Sequence, residues 1–134
     1  MACILNLETS TTNCSVALSL NGELLLLKED NSAQYSHAER LHIYIEALLK
    51  ETQTELSQID AIAVSKGPGS YTGLRIGVSA AKGLCFGLDI PLISLPTLEV
   101  LAHKIQIDEG SIVATLDARR MEVYSAVFDA NHQY

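Results

Sequence analysis

One glycine-rich stretch, residues 61–84, constrains the fold of this chain more than any other. It begins with a short apolar run over residues 61–64, which is typical of a strand covered on both faces. The Gly-Pro-Gly sequence at residues 67–69 then interrupts the run, because glycine accepts positive φ angles and proline fixes its own φ. Ser70 or Thr72 can cap a following helix. The stretch therefore predicts a strand, a sharp turn and a helix in immediate succession.

A glycine-rich turn between a strand and a helix is where many proteins bind phosphate, because backbone amides and the positive helix end converge there. This turn matches neither standard phosphate-binding pattern. Counted from Gly67, the dinucleotide-binding pattern needs a third glycine at position 72, where this chain has threonine. The Walker pattern needs Gly-Lys-Ser/Thr, and residues 72–74 are Thr-Gly-Leu. A P-loop or Rossmann site is therefore disfavoured, while a turn that only packs the helix onto the sheet stays open.

The predicted helix, which ends near residue 88, is unusually rich in glycine. Each interior glycine costs about 1 kcal/mol relative to alanine, so a close contact should compensate for it. The small residues form two rows at four-residue spacing, Gly73 and Gly77 in one and Ser79, Gly83 and Gly87 in the other. At about 100° per residue, the two rows lie on different sides of the helix. We expect one side to face the chain's own sheet and the other to face a partner.

The rest of the chain alternates predicted strands and helices. The expected strands are residues 3–7, 15–20, 23–28, 61–64, 91–95, 112–116 and 122–128, and the other helices are residues 37–51 and 98–105. Asn21-Gly22 is a strong hairpin signal, so the first three strands should form an antiparallel meander. Ser36 and Glu39 have capping-box spacing, and Thr97 is expected to cap the last helix.

This order resembles one lobe of the α/β fold shared by actin, sugar kinases and heat-shock chaperone ATPases, which is ribonuclease H-like. Such a lobe has a mixed sheet whose three-strand meander is flanked by helices. The polar residues 108–110 mark the best domain boundary. We expect residues 1–108 to form an N-terminal lobe and residues 109–134 to form the first hairpin of a second lobe that is truncated.

Helix 37–51 and the glycine-rich helix are expected to form a partner surface. Apolar residues cover roughly 240° of helix 37–51, whereas one core contact needs only about 100°. Each helix therefore has apolar or small residues beyond what one sheet requires, and a second copy is the expected partner when the protein is alone. The residues expected at this interface are Leu41, Tyr44, Ile45, Leu48, Gly73, Ile76, Gly77, Ala80, Gly83 and Gly87.

Composition limits the function. The 134 residues are 48% hydrophobic, which suits one modest packed domain. The net charge of −7 argues against a stand-alone nucleic-acid binder. Cys3, Cys14 and Cys85 favour buried thiols in a reducing cytosol over disulfides or a metal site. No signal peptide is apparent and no apolar run reaches the ~18 residues of a membrane span, so we expect a cytoplasmic protein without membrane contact.

The long run over residues 65–83 resembles the signature of the TsaB (YeaZ) family, and the segments 4–10, 36–41 and 116–124 agree with it. The resemblance covers essentially the whole chain. It implies a non-catalytic subunit that pairs with the catalytic TsaD subunit in tRNA threonylcarbamoyladenosine modification, together with a TsaE-like ATPase. It also implies indirect contact with tRNA, no tightly bound cofactor, and ATP or ADP only at a partner interface.

Two places could carry chemistry. In catalytic members of the fold, an acidic residue ends the first strand and the next turn binds phosphate; here Glu8, Thr9, Ser10 and Thr11 stand there. Their oxygens could bind an anion or nucleotide, or could only cap the turn. TsaD holds its metal with a His-x-x-x-His pair, and placing this chain on that pattern puts Thr97 and Leu101 at the two positions. Leucine cannot ligate, so we expect no metal. The histidines expected to be structural or at the surface are His37, His42, His103 and His132.

Two functions of different classes follow. The first is a scaffold subunit without catalytic residues, which the surplus helix surface and the lost metal ligands favour. The second is an ATP-dependent small-molecule kinase or ATPase of the same fold, which would need the second lobe and a clear catalytic acid.

Overall fold

The computed structural model describes residues 2–30 and 37–134. Its main layer is a five-stranded sheet in the order β3-β2-β1-β4-β5, and two further strands form a separate hairpin. One 3-10 turn lies at Leu56–Gln58. The strands are β1 (Cys3–Glu8), β2 (Cys14–Leu20), β3 (Glu23–Asp30), β4 (Ala61–Gly67), β5 (Leu92–Pro96), β6 (Ser111–Arg119) and β7 (Glu122–Asp129), and the helices are α1 (His37–Glu51), α2 (Tyr71–Leu88) and α3 (Thr97–Ala102).

The first three strands form the predicted meander. β2 pairs antiparallel with both β1 and β3, whereas β4 pairs parallel with β1 and β5 parallel with β4. The turn between β2 and β3 has φ of 53° at Asn21 and 82° at Gly22, as a tight type I′ hairpin needs. The mixed sheet with an antiparallel meander and flanking helices confirms the predicted fold class.

One aliphatic core joins the sheet to α1 and α2. Alternate residues of β1 and β2 point into it, as the period of two in a strand requires. From the helices, Leu41, Ile45 and Leu48 of α1 and Ala81 and Cys85 of α2 enter the same cluster. Both helices therefore lie on one face of the sheet.

Burial raises the pKa of all three cysteine thiols, which keeps them protonated and unreactive.

A second, smaller core lies between α3 and the β6–β7 hairpin. The helix α3 is shorter than residues 98–105, and it begins at Thr97 with Pro96 in the capping position and no side-chain cap. The prediction that Thr97 caps the helix is therefore wrong. Its hydroxyl is buried and has no hydrogen-bond partner in the described part of the chain.

His103 and His132 contact each other, which the sequence did not indicate. Their rings stack with centroids 4.3 Å apart. His103 Nδ1 lies 2.8 Å from the carbonyl oxygen of Glu99, and His132 Nε2 lies 2.9 Å from that of Ile105. Both histidines are structural in this arrangement, as expected.

The predicted Ser36 cap lies outside the described residues. No helix in the described part is long and apolar enough to cross a bilayer.

Candidate functional site

A cleft of about 670 Å³ opens where the loop after β1, the first turn of α2 and the β6–β7 hairpin meet. Hydroxyl groups dominate its wall, with one guanidinium and one carboxylate from the hairpin. The polar side chains that line it are Ser10, Thr11, Thr12, Ser70, Tyr71, Thr72, Asp117, Arg119 and Tyr124. Of the four residues predicted to bind an anion, only Ser10 and Thr11 lie at this wall.

Glu8 is engaged by its own loop. One oxygen of its carboxylate accepts from the Ser10 amide at 3.0 Å and from the Ser10 hydroxyl at 2.5 Å. The other oxygen accepts from the hydroxyl of Ser65 on β4. These bonds tie the end of β1 to the neighbouring strand, so they favour the structural interpretation of Glu8 over a role as catalytic acid.

Thr9 is buried, with 1% of its surface exposed, and donates its hydroxyl to the carbonyl oxygen of Gly73 at 2.6 Å. The expectation that Thr9 offers this hydroxyl to an anion is therefore corrected. The same side chain fills the space beside Gly77, where an added Cβ would overlap Thr9 Oγ1. Thr9 thus explains why α2 carries glycine at this position, a contact that sequence spacing alone could not reveal.

The glycine-rich turn places α2 against the loop after β1. The amide of Ser70 donates to the carbonyl oxygen of Ser10 at 2.7 Å, and a Cβ at Gly69 would lie 2.5 Å from that oxygen. Only glycine permits this approach. Ser70 caps α2 by accepting from the Gly73 amide at 3.2 Å, which selects it over Thr72.

The two small-residue rows of α2 lie on different sides, as predicted. Gly73 and Gly77 are buried against the chain's own fold. Gly83 and Gly87 are exposed, and a Cβ at either would meet nothing within 4 Å among the described residues. Phe86 lies beside them and is 92% exposed. This outer face therefore presents a large aromatic ring next to two open glycine positions.

Several residues predicted for the partner surface belong to the domain's own core. More of the apolar side chains of α1 pack on the chain's own core than the predicted partner surface allowed. Ile76 and Ala80 of α2 are half-buried against the same core. Only Gly83 and Gly87 of the predicted set are exposed. The residues removed from the predicted surface because they are buried are Leu41, Ile45, Leu48, Gly73 and Gly77.

Tyr44 is also fixed within its own domain. Its hydroxyl donates to Asp30 Oδ2 at 3.1 Å, and the same oxygen lies 2.6 Å from Arg40 Nη1. Burial, and then the adjacent Asp30 carboxylate, raises the pKa of the Tyr44 phenol. Tyr44 therefore anchors α1 to the end of β3. Ile43 is a large apolar side chain that α1 exposes, and the prediction omitted it.

Charge differs between the outer faces of the two helices. Glu39 and Glu46 are exposed on α1, seven residues apart. Arg75 and Lys82 are exposed on α2 at the same spacing, and Arg75 lies over the ring of Tyr71, 5.4 Å from its centroid. Because α1 and α2 pack side by side, an acidic pair on α1 lies on the helix next to a basic pair on α2, and the exposed Lys50 follows Glu46 by one turn of α1.

Thr97 and Leu101, the two positions considered for a pair of metal ligands, do not suit a metal here. Thr97 offers one buried hydroxyl, and Leu101 packs against the second core. Within residues 2–30 and 37–134, no group of three or more His, Cys, Asp or Glu side chains comes together in a way that could hold an ion.

Comparison with known proteins places this geometry in a family. Residues 31–133 match the family model described as "TsaD: tRNA N6-adenosine threonylcarbamoyltransferase". A "tRNA threonylcarbamoyladenosine biosynthesis protein TsaB" from Haemophilus influenzae is 41% identical over 123 residues. The chain belongs to the TsaD family and, within it, to the TsaB (YeaZ) group.

Other TsaB proteins and their structures agree. The protein of the same name from Escherichia coli is 36% identical over 127 residues, which is 93% of this chain and 54% of the relative. The Haemophilus alignment covers 90% of this chain and 51% of that relative. A structure titled "YeaZ from Pseudomonas aeruginosa" is 37% identical with a TM-score of 0.87, over 96% of this chain and 61% of that one. The chain thus spans about half the length of these curated TsaB relatives.

Proposed function

We propose that this chain acts as a non-catalytic partner subunit in tRNA threonylcarbamoyladenosine modification, paired with a TsaD-like catalytic subunit. The observation that carries the proposal is the outer face of α2. Gly83 and Gly87 cost helix stability, yet no contact within the described chain needs them. Phe86 exposes almost all of its surface beside them. A partner helix would bury the ring and approach the backbone closely at the glycines.

The charge on the helices supports pairing as well. A partner that presents acidic side chains to Arg75 and Lys82 and basic ones to Glu39 and Glu46 would complement both pairs of charges, which favours association and fixes its orientation. The outer faces of a second copy meet this condition in an antiparallel arrangement, with Glu39 and Glu46 facing Arg75 and Lys82. A homodimer through this face, when the catalytic subunit is absent, is therefore part of the proposal.

The non-catalytic role rests on residue chemistry. Both carboxylate oxygens of Glu8 already accept hydrogen bonds from serines, and Thr97 and Leu101 cannot supply a pair of histidine ligands. No observation favours the kinase alternative. A TsaE-like ATPase, ATP or ADP at a partner interface and tRNA held through other subunits belong to the same proposal, as does a cytoplasmic location.

Binding to the TsaD-like subunit of the same organism tests the α2 face. Gly83→Leu should weaken binding by about 1–3 kcal/mol through overpacking, and Phe86→Asp should weaken it through a buried charge. Because Gly83 has open space around it, neither change should lower the melting temperature of the isolated chain. Leu56→Asp, at an exposed site off the helix, is the matched control for calorimetric titration. Unchanged affinity in both variants would place the interface elsewhere.

The non-catalytic assignment has its own test at Glu8. Glu8→Gln can keep an acceptor oxygen for Ser10 and turn its amide NH2 toward the Ser65 hydroxyl, which can accept from it, but removes the charge that a catalytic acid or base needs. We expect threonylcarbamoyl transfer by the reconstituted complex to stay within about twofold, since general acid–base groups contribute 10²–10⁴-fold. A loss of a hundredfold in a variant that still binds its partner would make Glu8 catalytic.

A further inference from the structure

The outer edge of β3 is rich in leucine and has no strand partner among the described residues. β3 ends the five-stranded sheet, and within the described residues only β2 pairs with it. Leu24, Leu25 and Leu27 are 62%, 50% and 41% exposed. A long apolar edge strand offers free backbone donors and acceptors to another strand, and natural proteins seldom leave one uncovered.

A β-bulge at Leu25 changes which residues of β3 share a face. The register passes from Leu24 opposite Ser19 to Leu26 opposite Leu18, so Leu25 is the extra residue. As a consequence, Glu23 and Lys28 lie on the same face although they are five positions apart. Glu23 stands opposite Leu20 and Lys28 opposite Val16, and both of these β2 residues belong to the face that carries the helices.

The central leucines follow the same symmetry. Leu24 and Leu27 stand opposite Ser19 and Ala17, on the face of the sheet away from α1. Glu23 and Lys28 thus share one face of β3 and Leu24 and Leu27 share the other, with a charged residue at each end of this set. Those charges have opposite sign.

We propose that β3 pairs antiparallel with β3 of a second copy of this chain. In this register Glu23 faces Lys28 of the other copy, and Leu24 faces Leu27. Directly opposite residues must lie on one face of an antiparallel pair, and the bulge lets both pairs meet that condition. Edge charges normally discourage such pairing, because like charges meet. Here each end of the paired strands brings together a carboxylate and an ammonium group, so the charges favour a second copy of this chain as the partner strand.

This edge is separate from the α2 face that carries Gly83 and Phe86. α2 packs on β4, and β3 lies at the β2 end of the sheet, beyond β1 and β2. Pairing through β3 would join two sheets into one of ten strands and leave Gly83 and Phe86 of both copies open. The inference therefore goes beyond pairing with a catalytic subunit, since it links two such pairs.

Charge exchange tests the register on the 134-residue chain. Glu23→Lys alone and Lys28→Glu alone each place like charges at both ends of the paired strands, so each should weaken self-association roughly tenfold in sedimentation equilibrium. An equimolar mixture of the two variants should associate again, and so should the double variant. Lys28 also contacts Glu51 on α1 at 2.5 Å, so Glu51→Gln is the control for loss of that ion pair.

Crosslinking checks the leucine pair directly. In a Leu24→Cys/Leu27→Cys variant, oxidation should give a covalent dimer, whereas the native cysteines are buried and should stay reduced. Phe86→Asp in the same background should leave this crosslink unchanged, which separates the edge from the α2 face. A monomer up to high micromolar concentration, or self-association that none of the β3 variants affects, would overturn the proposal.

Discussion

The two glycine pairs of α2 have the same four-residue spacing but opposite surroundings. Gly73 and Gly77 face inward, where Thr9 donates to the first and fills the space beside the second. Gly83 and Gly87 face outward, where an added methyl group would touch none of the residues that the structure describes. One pair is therefore explained by the fold itself. The other pair lowers helix stability without any contact in the described chain to compensate, and that difference points to a partner.

The largest effect should come from the inner pair. Gly77→Ala places a methyl group on Thr9, whose side chain is buried and tied to Gly73, so the neighbour cannot move aside easily. We expect a loss of about 1–3 kcal/mol in the free energy of unfolding, measured by urea denaturation. The control is the double variant Thr9→Ala/Gly77→Ala, in which the overlapping hydroxyl is gone. Gly77→Ala should cost less free energy of unfolding in the Thr9→Ala background than in the native chain. Additive costs of the two changes would contradict the proposed contact.

Sequence spacing found both glycine rows but could not assign them. The turn at Asn21-Gly22, the three-strand meander and the helix over residues 71–88 follow from local residue chemistry, which the sequence displays. Whether a helix face points to its own sheet depends on long-range contacts such as Thr9 with Gly77. The same limit explains α1, whose broad apolar arc predicted a partner surface although most of it packs on β2 and β3.

The candidate site was less predictable than the fold. Glu8 and the hydroxyls after it suggested an anion site, because their spacing cannot show that Ser65 on a neighbouring strand occupies the carboxylate. The stacked pair of His103 and His132 and the exposed ring of Phe86 also depend on how the chain packs. An exposed phenylalanine in an amphipathic helix looks in sequence like any core residue.

The outer pair should respond with the opposite sign. Gly83→Ala meets nothing and raises helix propensity, so the isolated chain should gain about 1 kcal/mol in stability and melt a few degrees higher. If a partner helix approaches at Gly83, the same methyl group should weaken binding to the TsaD-like subunit. A variant that gains stability and binds the partner equally well would contradict the claim that a partner contact explains Gly83 and Gly87.

Phe86 gives the smallest effect on the fold and the sharpest test of the difference. Its ring is 92% exposed, so Phe86→Ala should change the free energy of unfolding of the isolated chain by less than about 0.5 kcal/mol. Buried at an interface, an aromatic anchor of this kind typically costs 2 kcal/mol or more on truncation to alanine, so affinity for the partner should fall about thirtyfold. Thermal melts beside calorimetric titration measure both quantities on one preparation. A marked loss of stability in the isolated chain would mean that the ring packs on its own domain, and the outer face of α2 would then resemble the inner one.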